Sequence, residues 1–232
     1  MKFSQPLIKA TFIDRPNRFL TRVRIGENIV TSHLPDPGRL EELLLPGVEL
    51  RVRREGGIKR KTKFTNVMVR SGTVWVSLVA TFANQLAQEW IEDGLIAGLK
   101  TARIKRAEIP WENHRFDFLL ERNGSPYYLE VKSVTWAAKG QARFPDAVSQ
   151  RATAHVRTLI QMKSKGIGAG ILFICQRSDV SSFAPMVDRD PVFAHTLAEA
   201  VAAGVDIFCQ AGHVTEDGIR FYRQIPVNLA SL

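Results

Sequence analysis

The run Arg115-Phe-Asp117-Phe-Leu-Leu120, followed after a turn by Tyr127-Tyr-Leu-Glu130-Val-Lys132, sets charged residues inside two apolar stretches. Between them, Asn123-Gly124 is the dipeptide that best suits a tight hairpin. Side chains alternate across a strand, so Glu130 and Lys132 share a face, and Asp117 can reach that face across the hairpin. Charge removed from water is costly unless it is paired or bound to a metal. Two neighbouring carboxylates repel, and a divalent cation removes that cost. Magnesium takes oxygen ligands in octahedral geometry and keeps several waters. Asp117, Glu130 and the carbonyl of Val131 would supply part of that shell, for Mg2+ or for Mn2+. Such a cation makes water a better nucleophile, and Lys132 beside it can orient the water or stabilise charge on a phosphate. A structural salt bridge between Lys132 and a carboxylate accounts for the same residues without a metal.

Working outward, the downstream chain alternates strand and helix. Strands are expected at 103–109, 116–121, 127–131, 169–175 and 205–210, and helices at 82–92, 145–163 and 191–203. This alternation implies parallel pairing and a layered α/β domain over residues 82–232. Leu86, Trp90 and Ile91 form the apolar stripe of the first helix. Upstream, strand-like runs at 7–13, 19–25, 28–34, 48–54, 63–69 and 73–79, with a short helix at 39–45, suit an OB-like β-barrel over residues 1–81. The boundary falls near 80–82.

Charge is distributed unevenly. Residues 1–80 hold fifteen Lys and Arg against seven Asp and Glu, whereas 81–232 hold seventeen against sixteen, within a net charge of +9. A polyanion is the natural partner of such an asymmetry. Arg53, Arg54, Lys59, Arg60, Lys61 and Lys63, in and around one loop, are the electrostatic candidates. Aromatic stacking platforms are scarce there: Phe64 and Trp75 are the candidates, with core packing the stronger reading for both. If about six phosphates are neutralised, affinity falls with salt along a log–log slope near −5. No helix-turn-helix is evident, so binding is expected to have little sequence specificity.

Cys175 and Cys209 lie in strand-like apolar runs and read as buried, reduced thiols without zinc spacing. No apolar run reaches the length of a membrane span, and Met1 to Ala10 lacks a signal-peptide core, so a cytoplasmic protein is expected.

The Asp…Glu-x-Lys pattern resembles the PD-(D/E)xK nuclease superfamily. That superfamily often adds an acidic residue from the preceding helix, and Glu89 is the matching position. The wider sequence narrows the resemblance. Glu130-Val-Lys-Ser-Val-Thr135, Phe144-Pro-Asp-Ala147, Arg151 with His155, His33-Leu-Pro-Asp-Pro-Gly-Arg39, Pro46-Gly47 and Phe183-Ala-Pro185 resemble the sugar fermentation stimulation protein A (SfsA) family over nearly the whole chain. The family pattern more often has Asn and Thr where Asp36 and Pro37 stand. The segment from Thr135 to Arg143 is more basic than that pattern, through Lys139 and Arg143. The resemblance implies a DNA-binding protein linked to sugar (maltose) utilisation, with an OB-like N-terminal domain and a nuclease-like C-terminal one. Arg151 and His155 lie on one helix face. Arg151 then contacts phosphate, and His155 lies near the scissile phosphate or a ligand. His33, His114, His195 and His213 receive only a packing role.

Three functions stay open from the sequence. The first is a DNA-binding regulator with a divalent-metal site. The second is a Mg2+-dependent endonuclease in which Asp117, Glu130, Lys132 and Glu89 carry the chemistry. The third is a regulator that binds an acidic protein.

Overall fold

A computed structural model of the chain describes residues 1–57 and 61–229. The N-terminal part is a sheet of six strands, β1 (Ile8–Asn17), β2 (Leu20–Ile25), β3 (Asn28–His33), β4 (Glu49–Arg54), β5 (Phe64–Ser71) and β6 (Val74–Ser77). They run in the order β3-β2-β1-β4-β5-β6, and a parallel pairing of β3 with β5 closes β1 to β5 into a five-stranded OB-type barrel. Register shifts in β1 between Phe12 and Asp14, and between Asp14 and Asn17, add the local bend that closure needs. Phe12, Val23, Leu50, Val52, Val69 and Val76 fill the interior.

The helix expected at 39–45 does not form. Leu40 has φ +55°, which no α-helix accepts, and only a single turn is made, with the Leu43 and Leu44 N–H groups donating to the Leu40 carbonyl. Leu40, Leu43 and Leu44 instead seal one end of the barrel core. Their apolar spacing is real, but it serves a turn.

After α1 (Phe82–Glu92) come β7 (Arg103–Trp111), β8 (His114–Arg122), β9 (Ser125–Val134), β10 (Ala137–Ala138), β11 (Gln141–Phe144), α2 (Gln150–Ser164), β12 (Gly168–Cys175), β13 (Ser182–Pro185), α3 (Pro191–Ala202), β14 (Asp206–Thr215) and β15 (Gly218–Gln224). The main sheet has the order β15-β14-β12-β9-β8-β7, with β12 parallel to both β9 and β14. The hairpin at Asn123-Gly124 forms, both residues taking positive φ. Helix α1 covers one face through Leu86, Trp90 and Ile91, while α2 and α3 cover the other through Val156, Leu159, Phe193 and Leu197. Cys175 and Cys209 are buried, free thiols on adjacent strands.

Helix α2 begins later than residue 145. Ser149 is its cap, with Oγ accepting from the Ala152 N–H, and the Ser149 N–H is itself held by Asp190. Asp146, expected near the first turn, reaches instead to the barrel and accepts the Arg39 N–H at 2.7 Å. Strands β10, β11, β13 and β15 were not anticipated. They are short or lie at a sheet edge, where polar residues blur the period of two.

The two parts share a seam. Val67, Met68 and Val79 pack in the same core as α1. Buried Gln176 donates to the Val79 carbonyl and to Ser133 Oγ, and buried Arg177 spans from Ser71 to the Thr135 carbonyl.

Candidate metal centre

Strands β8 and β9 are paired from Arg122↔Ser125 as far as Phe118↔Leu129, and the ladder stops there. Beyond that point Asp117 takes the place of the lost backbone partner. Its Oδ2 accepts the Val131 N–H at 2.7 Å, and its Oδ1 accepts from Asn84 Nδ2 of α1 at 2.6 Å. The fork therefore brings a carboxylate onto the backbone of Val131, between the charged residues Glu130 and Lys132.

On β9, Glu130 is buried. Its Oε1 accepts from the Lys132 ammonium and contacts His155 Nδ1 of α2 at 2.5 Å. Its Oε2 is buried and has no hydrogen-bond partner among the described residues. A buried carboxylate oxygen without a partner normally forfeits a large desolvation cost. The Lys132 salt bridge thus exists, but it accounts for only one of the two oxygens.

The electrostatics of the pair are opposed. Burial, reinforced by the nearby Glu130 charge, pushes the Asp117 carboxyl up to about 6, against the pull of the Val131 N–H, Asn84 and Lys132. For Glu130, burial acts upward too, yet the hydrogen bond from His155 and the charge of Lys132 outweigh it and hold the carboxyl below its ordinary value. Glu130 is the firm anion, and Asp117 is the carboxylate that gains most from a cation.

Asp117 and Glu130 are the residues that would offer oxygen ligands to a divalent cation. Asp117 lies within reach of the Glu130 charge, Glu130 Oε2 has no hydrogen-bond partner among the described residues, and each carboxylate oxygen of Asp117 keeps a second lone pair. Among the described residues no group of three or more His, Cys, Asp and Glu is arranged to hold a metal ion. Zinc, which takes three or four protein ligands, is therefore a poor match, whereas magnesium completes its shell with water.

Asp117, Glu130, Val131 and Lys132 are thus brought together. Glu89 is not. It sits five residues beyond Asn84 on α1, well round the helix, and pairs with the Met1 amino group at 2.6 Å. The helix contribution to the site is the amide of Asn84, an uncharged group that the search for a further acid overlooks. His155 is buried on Glu130 and does not lie on a solvated face, while Arg151, one turn earlier, is exposed. His114, read as packing alone, sets its ring 5.1 Å from that of His155.

The basic loop divides. Arg53 forks onto Glu55, with Nη2 at 2.8 Å, so its charge is largely answered within the barrel. Arg54, Lys61 and Lys63 are exposed. Lys59 and Arg60 lie outside the described residues. Phe64 packs against the barrel core, and the Arg51 and Arg70 guanidinium groups lie over the Trp75 ring at 4.7 and 5.1 Å. Downstream, Lys139 is exposed, and Arg143 donates to Gln141 and faces the Trp136 ring. No helix is long and apolar enough to cross a membrane among the described residues.

Comparison with known proteins places this geometry in a family. Residues 13–78 match the model of an SfsA N-terminal OB domain, and residues 81–218 match that of the sugar fermentation stimulation protein RE domain. Sugar fermentation stimulation protein homologs from Clostridium tetani and Moorella thermoacetica are 39% and 40% identical, over 95% and 96% of this chain and 96% and 97% of their own. A solved structure described as Pyrococcus furiosus SfsA in complex with Ca2+ superposes with a TM-score of 0.91 at 29% identity, covering 98% of each chain. These matches make the chain a member of the sugar fermentation stimulation protein (SfsA) family.

Proposed function

We propose that this protein binds DNA, with little sequence preference, and holds a divalent cation on Asp117 and Glu130 beside the bound backbone. The observation that carries the reading is the buried, partnerless Oε2 of Glu130 next to a carboxyl that burial and like charge push up to about 6. A relative's structure described with Ca2+ supports the same reading.

Mg2+ or Mn2+ would be held by Asp117, Glu130 and the Val131 carbonyl, and it would supply charge stabilisation at a phosphoryl oxygen. The chain's own groups do the rest. Asn84 and the Val131 N–H keep Asp117 in place. Lys132, held on Glu130, presents its remaining N–H donors toward a phosphate. Arg54, Lys61 and Lys63 supply the salt-sensitive grip on the backbone.

Phosphodiester cleavage is the second reading, and the presence of Asp117, Glu130 and Lys132 in one cluster favours it. Incubating plasmid and oligonucleotide DNA with Mg2+ and with Mn2+, beside Glu130→Ala and Lys132→Ala, separates the two. Cleavage lost in both variants makes the protein a nuclease. Retardation without cleavage, sensitive to salt, leaves a DNA-binding regulator on a nuclease-like scaffold. The absence of any retardation or cleavage at low salt would overturn both and leave an acidic protein as the partner.

A further inference from the structure

On the α2 side of Glu130 an open cleft of about 480 Å³ runs between the β7–β8 turn and the start of α2. His114, Arg115, Arg151 and His155 line it, with Glu112 the one acid among the described residues that do. Glu112 is turned to Lys165 at 3.4 Å, and Arg115 meets Glu108 only at 3.5 Å, both exposed contacts that solvent weakens. The exposed guanidinium of Arg151 has no ion pair among the described residues.

His155 forms the floor of the cleft, and it is fixed. Its Nδ1 is held by Glu130 Oε1, and its ring is packed between His114 at 5.1 Å and Phe116 at 5.6 Å. No group of the described residues hydrogen-bonds its Nε2. A carboxylate that fixes one ring nitrogen fixes the direction of the other. A buried histidine held only for packing would normally have both ring nitrogens satisfied, and here the second is left over. Two guanidinium groups above an aligned imidazole match the oxygens of a phosphate, since Arg recognises phosphate through paired N–H donors. The ring nitrogen can meet a phosphate oxygen or a P–OH group in either protonation state.

We infer that this cleft is a phosphate-binding subsite, built by Arg115, Arg151, His114 and His155, which holds a second phosphate of the nucleic acid next to the one at Asp117 and Glu130. It rests on the reading of the neighbouring cluster as a place where nucleic-acid backbone is held. Glu130 joins the two sites, its Oε1 holding both Lys132 and His155. The phosphate belongs either to the interior of a strand or to its end, and both offer the same oxygens.

The test uses the whole protein in the presence of a chelator, so that neither metal nor cleavage enters. Histidine ring carbons are followed by NMR while inorganic phosphate is added at constant ionic strength. Saturable shifts at His114 and His155, with His33, His195 and His213 still, are expected. Arg151→Ala and Arg115→Ala, both at exposed positions, should each weaken that binding by about tenfold, the scale of one charge-assisted hydrogen bond. Equal small shifts at all five histidines, no shifts, or unchanged binding in both variants would overturn the subsite, whatever the DNA assay shows. Repeating the titration with a nucleoside 5′-monophosphate and with a dinucleoside phosphodiester tells the sources apart. A clear preference for the monoester assigns a strand end, and equal binding assigns the interior.

Discussion

Asp117→Asn should make the metal-free protein more stable. The wild-type carboxyl titrates at about 6 in the fold against an ordinary value of 3.8. Two units at ~1.4 kcal/mol each set an upper bound of roughly 3 kcal/mol for the cost of carrying that charge at neutral pH. A carboxyl raised in the fold favours folding fully below about pH 4, and the advantage is lost as the pH rises through about 6. Removing the charge therefore helps only on the alkaline side. The Asn side-chain oxygen can still accept the Val131 N–H, and Asn84 can turn its amide to match. Imperfect replacement of those bonds leaves an expected gain of about 1–2 kcal/mol, or roughly 3–6 °C for a chain of this size. Thermal unfolding in chelator at pH 8 reads it directly, and the gap between variant and wild type should close as the pH falls toward 4. Saturating Mn2+ should reverse the order, because a ligand at a hundredfold its dissociation constant stabilises only the protein that binds it, by about 2.7 kcal/mol. A variant less stable than wild type in chelator at pH 8, or equally raised by Mn2+, would refute the reasoning.

Other outcomes follow from the same geometry. Lys132→Ala should destabilise by about 1–3 kcal/mol in thermal unfolding, since buried Glu130 then keeps only His155 as a hydrogen-bond partner. Gly38→Ala should cost about 1–3 kcal/mol in chemical denaturation, because a Cβ there would stand 2.4 Å from an Asp146 oxygen that already holds the Arg39 N–H. Asp36, buried beside Asp146, is pushed up to about 6 by burial, so Asp36→Asn should raise stability above pH 6 and not below pH 4. Replacing Arg54, Lys61 and Lys63 together by Ala should flatten the log–log salt dependence of DNA binding by about 2–3, measured by retardation across a salt series.

Much of the architecture was legible because apolar periodicity reports burial. The β8–β9 hairpin followed from Asn123-Gly124 and two interrupted apolar runs, and the buried stripe of α1 from Leu86, Trp90 and Ile91. Leu40, Leu43 and Leu44 show the limit. Their spacing suits a helix, but the left-handed φ of Leu40 is a tertiary outcome that no local pattern announces. At the site, charge in an apolar strand marked Asp117, Glu130 and Lys132. Asn84 and His114 escaped, because an amide in a helix and a histidine before a strand carry no sign of their partners until the sheet is assembled. Glu89 was the converse case, since acidic character without helical phase marked a residue that pairs with the Met1 amino group instead. His155 stood at helical spacing from Arg151, yet its burial against Glu130 is a contact between α2 and β9 that only the fold reveals.

The most direct test is the affinity of a fluorescent DNA duplex for the protein in chelator and in Mn2+, at one ionic strength, for wild type, Asp117→Asn and Glu130→Gln. A cation held at Asp117 and Glu130 against the backbone should tighten wild-type binding by about tenfold, the scale of one charge-assisted contact, and leave both variants near their chelator values. No tightening in wild type, or the same tightening in all three proteins, would contradict the account.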